Sequence, residues 1–202
     1  MIRMFLALIC AIVSAALVIY SVCIFAFKGG QGNMEGSKTA CFRYFTVDSN
    51  LLAACSSLIV ALCIVLGYIP QWALLLHFTG TVSVMLTFLT VVFFLGPTKG
   101  YAPMFEGTNL FFHLIVPLFS AASLLLMWSY SDFPFAQSLW GLLPMIVYGA
   151  VYTYLVMGKK IWPDFYGFVA KGNYFVPIAL MLASTTAICA GLWALCRVCC
   201  IG

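Results

Sequence analysis

The sequence predicts an all-α, polytopic integral membrane protein with six transmembrane helices. Three observations carry this. Of the 202 residues, 65% are hydrophobic and only 7% charged, against about 25% charged in soluble domains. The mean hydropathy is +1.13. The apolar residues fall in continuous runs of helix length, not in the short alternating segments of a membrane barrel.

The spans are expected, in order, over residues 4–27, 45–68, 72–95, 108–128, 139–157 and 174–197. The first follows Arg3 and is too long for the 7–15-residue apolar core of a signal peptide, so it reads as a retained helix. The second opens on a polar cluster, Thr46, Asp48, Ser49 and Asn50. The third carries His77 near its start and Thr87 and Thr90 near its end. The fourth carries Asn109 and His113, the fifth Tyr148 and Tyr152. The sixth runs into a tail with Cys196, Cys199 and Cys200. Three readings stand for that tail: metal binding, palmitoylation, or plain membrane-edge residues. Six spans leave no room for a soluble domain, so residues 1–202 form one transmembrane unit.

The net charge of +4 does not point to nucleic acid, because no basic stripe is interleaved with aromatics. The charges sort by side instead. Arg3 and Arg197 share the face of the termini. Lys28, Lys38, Arg43, Lys99, Lys159, Lys160 and Lys171 share the other. The positive-inside rule puts the second face in the cytoplasm and both termini outside. Arg43 is also a pocket candidate, which weakens its weight as a topology signal. The longer loops, residues 28–43, 96–107 and 158–173, all lie on the basic face. Long loops in compact proteins tend to carry function.

Polar groups inside a membrane are costly unless partnered, so they mark sites. Helix capping accounts for one or two of Thr46, Asp48, Ser49 and Asn50. It does not account for polarity persisting to Asn50, one turn on from Thr46 and on the same face. The second and fourth spans both enter from the basic face. Thr46 lies in the first turn of one and His113 about five residues into the other, so at 1.5 Å per residue their depths match within a few ångströms. His77 enters from the opposite side and is expected to be structural or an interfacial donor. Asn109, one turn before His113, is placed to orient it. Asp48 is the one acid near enough in sequence to matter. Arg43, Thr87, Tyr148 and Tyr152 are pocket candidates, although such tyrosines usually anchor at the interface and such threonines usually bond back to their own helix. Asp164 and Glu106 read as solvated loop charges. No zinc-helix, phosphate-loop or nucleophile-elbow motif occurs, and no metal or cofactor is expected.

The segments FRYFTVDSN in the second span, N-x-x-x-H with Pro117 after it, YGAVY in the fifth span, and WPDFYGF in the last loop are carried in an order and spacing that resembles the androgen-induced-gene family. That is a family of six-span membrane proteins, and the likeness is closest to its shorter bacterial members. The resemblance covers residues 42–168. It implies a membrane-embedded threonine hydrolase that cleaves esters of fatty acids with hydroxy fatty acids, placed in a bacterial inner membrane. Thr46 corresponds to the family's nucleophile and His113 to its histidine. The animal members carry a second histidine and further threonines around that histidine, where this chain has Leu110 and Leu114.

In that reading Thr46 attacks the ester carbonyl and His113 takes its proton. Asn50, Ser49 or backbone N–H groups stabilise the oxyanion. The partners are the lipid ester and the surrounding membrane lipids. The alternative is a non-catalytic lipid or small-molecule binding protein, or a transporter-like bundle, although no pair of broken helices or internal duplication supports a transporter.

Overall fold

A computed structural model describes residues 1–32, 34–128, 133–168 and 174–198, and among these the regular elements are all helical. Six long helices follow one another: α1 (Ile2–Lys28), α2 (Phe45–Val65), α3 (Gln71–Lys99), α4 (Phe111–Met127), α5 (Phe135–Gly158) and α6 (Phe175–Val198). All but α4 are 21 to 29 residues long and apolar enough to cross a membrane. Helix α4 is shorter, although its hydrogen bonding begins earlier, with the Thr108 carbonyl accepting from the N–H groups of Phe111 and Phe112. Helix α5 starts ahead of its expected boundary, at Phe135. Cys199, Cys200 and Lys171 lie outside the described residues; Cys196 is buried in α6.

Solvation explains the pattern of side chains. Phe27, Leu66, Phe93, Phe175 and Val198 are each more than two-thirds exposed, whereas Ser14, Ser56, Ser57, His77, Thr81, Ser120 and Ser123 are fully buried. Large apolar side chains thus face outward, while hydroxyls and a histidine turn inward among a core that is still largely apolar. This fits a bundle surrounded by hydrocarbon, where polar side chains must turn inward to find partners. The structure is an all-helical bundle among the described residues, with five helices long and apolar enough to cross a membrane.

Helix α3 is the hub, packing against α2, α4, α5 and α6, while α1 packs against α2 and α4. Small residues let the helices approach closely. On α1 the buried stripe is Ala7, Ala11, Ser14, Ala15, Val18, Ser21 and Phe25. On α3, a Cβ at Gly80 would stand 3.1 Å from the Ala53 backbone of α2.

Proline breaks the regular winding in three helices. Pro97 has no N–H for the Phe93 carbonyl, and Pro117 none for His113. Immediately before each lies a π-helical turn, Val91–Leu95 in α3 and Phe111–Ile115 in α4. In α5 the stretch Leu139–Leu142, just before Pro144, tightens to a 3-10 turn. Between α2 and α3, Gly67 ends the helix at φ +76°, and the N–H groups of Gly67 and Tyr68 cap the carbonyls of Ile64 and Cys63. This is the left-handed close that glycine makes at little steric cost.

Candidate functional site

His113 sits in the middle of the π-helical turn of α4 and is 1% exposed. Single π turns inside helices are rare and frequent at functional sites. Its Nδ1 lies 2.6 Å from the Met104 carbonyl oxygen. A carbonyl can only accept, so Nδ1 carries the imidazole hydrogen and Nε2 keeps its lone pair. Nε2 makes no hydrogen bond to a described residue. The orienting group is therefore Met104, where the sequence points to Asn109.

Asn109 does a different job. Its amide donates to the carbonyls of Gln31 (2.7 Å) and Pro103 (3.3 Å). The Gln31 Oε1 accepts from both the backbone N–H (2.8 Å) and the hydroxyl (3.1 Å) of Thr108. Two of the long loops are latched together in this way, and the latch holds Met104 over His113. Gly32 lies at the contact: at φ +60°, a Cβ there would stand 2.0 Å from the Pro103 carbonyl.

The polar cluster opening α2 does not cap it. Tyr44 is the N-cap residue, with no side-chain cap bond. The Phe45 N–H donates to the Tyr166 hydroxyl (3.1 Å), and those of Val47 and Asp48 to the Tyr44 carbonyl. Ser49 and Asn50 donate back to the Thr46 carbonyl, at 3.1 and 2.7 Å. Each also reaches a neighbour. Ser49 Oγ lies 3.3 Å from Thr87 Oγ1 on α3, and Asn50 Nδ2 lies 3.3 Å from the Phe112 carbonyl on α4. Asn50 thus ends one residue from His113.

At 100° per residue, Thr46 leaves α2 between the directions of Ser49 and Asn50. It faces the seam between α3 and α4, yet stays partly accessible while those two are buried. Its hydroxyl makes no hydrogen bond to a described residue. Thr46 and His113 are not hydrogen-bonded to each other. Asn50 is the residue that spans from the one to the backbone beside the other.

The remaining candidates separate from this pair. Asp48 leaves α2 on the other side, within electrostatic reach of Tyr148 and Tyr166, so it gives His113 no support. Tyr148 donates to the Arg43 carbonyl (2.6 Å) and Tyr152 to Asp164 Oδ1 (2.8 Å). Both are tethers. Arg43 contributes that carbonyl, and its side chain is exposed. Asp164 is no free loop charge: it also accepts from the Phe168 N–H at 3.0 Å. These bonds fold the last loop over the start of α2, where Tyr44, Tyr148, Tyr152, Phe165 and Tyr166 pack ring against ring. Burial pushes the Tyr166 phenol up to about 12. Thr87 also lies 3.4 Å from the Ser83 carbonyl, its own helix's preceding turn.

His77 is not interfacial. It is fully buried, with Nδ1 3.2 Å from Ser56 Oγ of α2 and Nε2 2.7 Å from Ser123 Oγ of α4. A further pair, Ser14 of α1 and Ser120 of α4, meets at 3.2 Å. Sequence reasoning missed this hub, because serines in apolar runs look like filler. It also missed Met104 and Gln31. A backbone carbonyl has no side-chain signature, and Gln31 is one polar residue in a polar loop.

An open groove of about 470 Å³ lies beside the end of α1, lined by Ala26, Phe27, Lys38, Thr39 and Phe42. None of the candidate residues lines it. No family model, curated protein or solved structure matches the chain.

Proposed function

We propose that the chain is an intramembrane hydrolase of lipid esters, with Thr46 as nucleophile and His113 as base. The observation that carries this reading is the state of His113. The Met104 carbonyl holds the hydrogen on Nδ1 and leaves the Nε2 lone pair uncommitted inside the bundle. A threonine hydroxyl is a weak nucleophile and needs such a base. Thr46 has an uncommitted hydroxyl on the same seam, one Asn50 side chain away. Catalytic hydrogen bonds are often long in the free enzyme and tighten around substrate. The step forms an acyl-threonine, the proton passing through His113 to the leaving alcohol, and water then resolves it. The fatty acid ester of a hydroxy fatty acid is the substrate class, in line with the family resemblance.

The topology that belongs to this reading has six spans, α4 included, the basic loops in the cytoplasm and both termini outside a bacterial inner membrane. The two-against-seven split of Lys and Arg between the faces supports it.

A second reading, non-catalytic lipid binding, is favoured by the missing Thr46–His113 bond and by the groove with Lys38 beside its aromatic walls. One experiment separates the two. Purified protein in lipid nanodiscs is offered such esters, and released fatty acid is measured for the native chain and for Thr46→Ala, Thr46→Ser and His113→Ala. The hydrolase reading expects release by the native chain, loss in both alanine variants, and partial activity in Thr46→Ser. Release unchanged in either alanine variant, or no release by the native chain, leaves the binding reading.

A further inference from the structure

Two polar atoms buried in the bundle lack partners among the described residues: Asn50 Oδ1 and Ser57 Oγ, both on fully buried residues of α2. They are seven residues apart, two turns, so they share the inward face at a separation of about 10 Å. Asn50 sits beside the backbone of His113. Ser57 follows Ser56, which meets His77. The orphans therefore mark a stretch of α2 whose ends lie, along the helix axis, at the level of His113 and of the His77–Ser56 contact. Buried polar atoms are nearly always satisfied, and where protein does not supply the partner, ordered water does.

The His77 cluster carries a second imbalance. Ser123 Oγ lies 2.9 Å from the Ser120 carbonyl, and Ser56 Oγ 2.9 Å from the Ala53 carbonyl. A hydroxyl has one hydrogen. If both serines spend theirs on those carbonyls, both imidazole nitrogens must donate. A neutral imidazole has one N–H, here best placed on Nε2, the nitrogen with the shorter contact. The Ser56 hydrogen is then contested between the Ala53 carbonyl and Nδ1. One added proton on Nδ1 lets that nitrogen donate to Ser56 Oγ and returns the Ser56 hydrogen to the Ala53 carbonyl. The side chains hydrogen-bonded to His77 from α2 and α4 are uncharged hydroxyls, so the cost that proton must meet is burial away from bulk water.

We propose that α2 lines an internal water-binding seam running from His113 to His77, held by Asn50 Oδ1 and Ser57 Oγ, with His77 as its proton-accepting end. The proton comes from solvent and moves along the seam as hydronium: one of its O–H bonds breaks, the Nδ1–H bond forms, neutral water is left, and the Ser56 hydrogen settles on the Ala53 carbonyl. The seam does not depend on ester hydrolysis.

The test uses the full chain in lipid nanodiscs with ¹⁵N-histidine. Only two imidazoles are visible, and a His→Gln variant assigns them. Water-edited solid-state NMR then measures magnetisation passing from water to each ring. The expected result is clear transfer to His77, cut several-fold by Ser57→Val and by Asn50→Leu, with the Nδ1 signal moving toward the imidazolium position as pH falls. A His77 ring that receives nothing from water in the native chain overturns the proposal. So does transfer that is unchanged in both variants. With two histidines in the chain, His113→Gln alone assigns both rings, so the native measurement does not require a His77 variant to fold.

Discussion

Replacing His77 by Ala tests whether the serine–histidine hub holds three helices together. The change removes two buried side-chain bonds, at 3.2 and 2.7 Å, that tie α3 to α2 and α4. Interhelical hydrogen bonds inside membranes average about 0.6 kcal/mol and reach about 1.7, so the pair is worth roughly 1–3 kcal/mol. The fully enclosed imidazole also leaves a void, and large-to-Ala changes in packed cores cost about 2–5 kcal/mol. Both serines keep backbone acceptors, which trims the penalty for orphaned groups. The expected loss is about 2–4 kcal/mol. Unfolding in mixed micelles by titrated SDS, followed by tryptophan fluorescence, measures it. Ser123→Ala, which removes the shorter His77 bond together with the hydroxyl's own bond to the Ser120 carbonyl, is expected to cost about 1 kcal/mol. A His77→Ala variant within about 0.5 kcal/mol of the native protein, the range of unremarkable surface changes, would refute the hub and restore the interfacial reading.

Two further outcomes follow from the loops. Tyr166 has its phenol pushed from 10.0 to about 12 by burial, so the unfolded chain loses that proton first. Its contribution to stability is fully present below about pH 10 and fades as pH rises towards 12. Ultraviolet titration of the native protein against Tyr166→Phe should show one late-titrating phenol missing from the variant. Gly32 and Gly67 both have positive φ, but a Cβ at Gly32 meets the Pro103 carbonyl and one at Gly67 meets nothing within 4 Å. Gly67→Ala should cost about 1 kcal/mol, while Gly32→Ala should cost more and release the latch over His113. Protease cleavage in the loop before α4 reads the difference, and equal rates would argue against the latch.

The helices were legible because hydrocarbon solvent imposes one rule on every span: apolar residues for about twenty positions. Their boundaries drifted where proline and winding intervened, as at Phe135 and in the turns before Pro97, Pro117 and Pro144. For the candidate site, the sequence carried the level of each residue along its helix and not the connections between them. Depth matching put Thr46 and His113 at one end of parallel-entering helices, and helical phase puts Thr46 on the inward seam. Which group holds His113 was invisible, because the answer is a main-chain oxygen delivered by a loop. Capping was expected for one or two of Thr46, Asp48, Ser49 and Asn50, but α2 has no side-chain cap, and Ser49 and Asn50 bond back to Thr46 and across to other helices. Tyr148, Tyr152 and Asp164 looked independent in sequence. Their partnership arises only when the last loop folds back onto α2.

In the proposed reaction Thr46 is the reacting hydroxyl and His113 its base. Treatment of the native protein with a fluorophosphonate ester, followed by peptide mass spectrometry, probes both at once. One phosphonyl adduct is expected, on Thr46, absent when His113 is replaced by Ala. An adduct on another residue, or on Thr46 at full yield without the imidazole, would contradict the proposal.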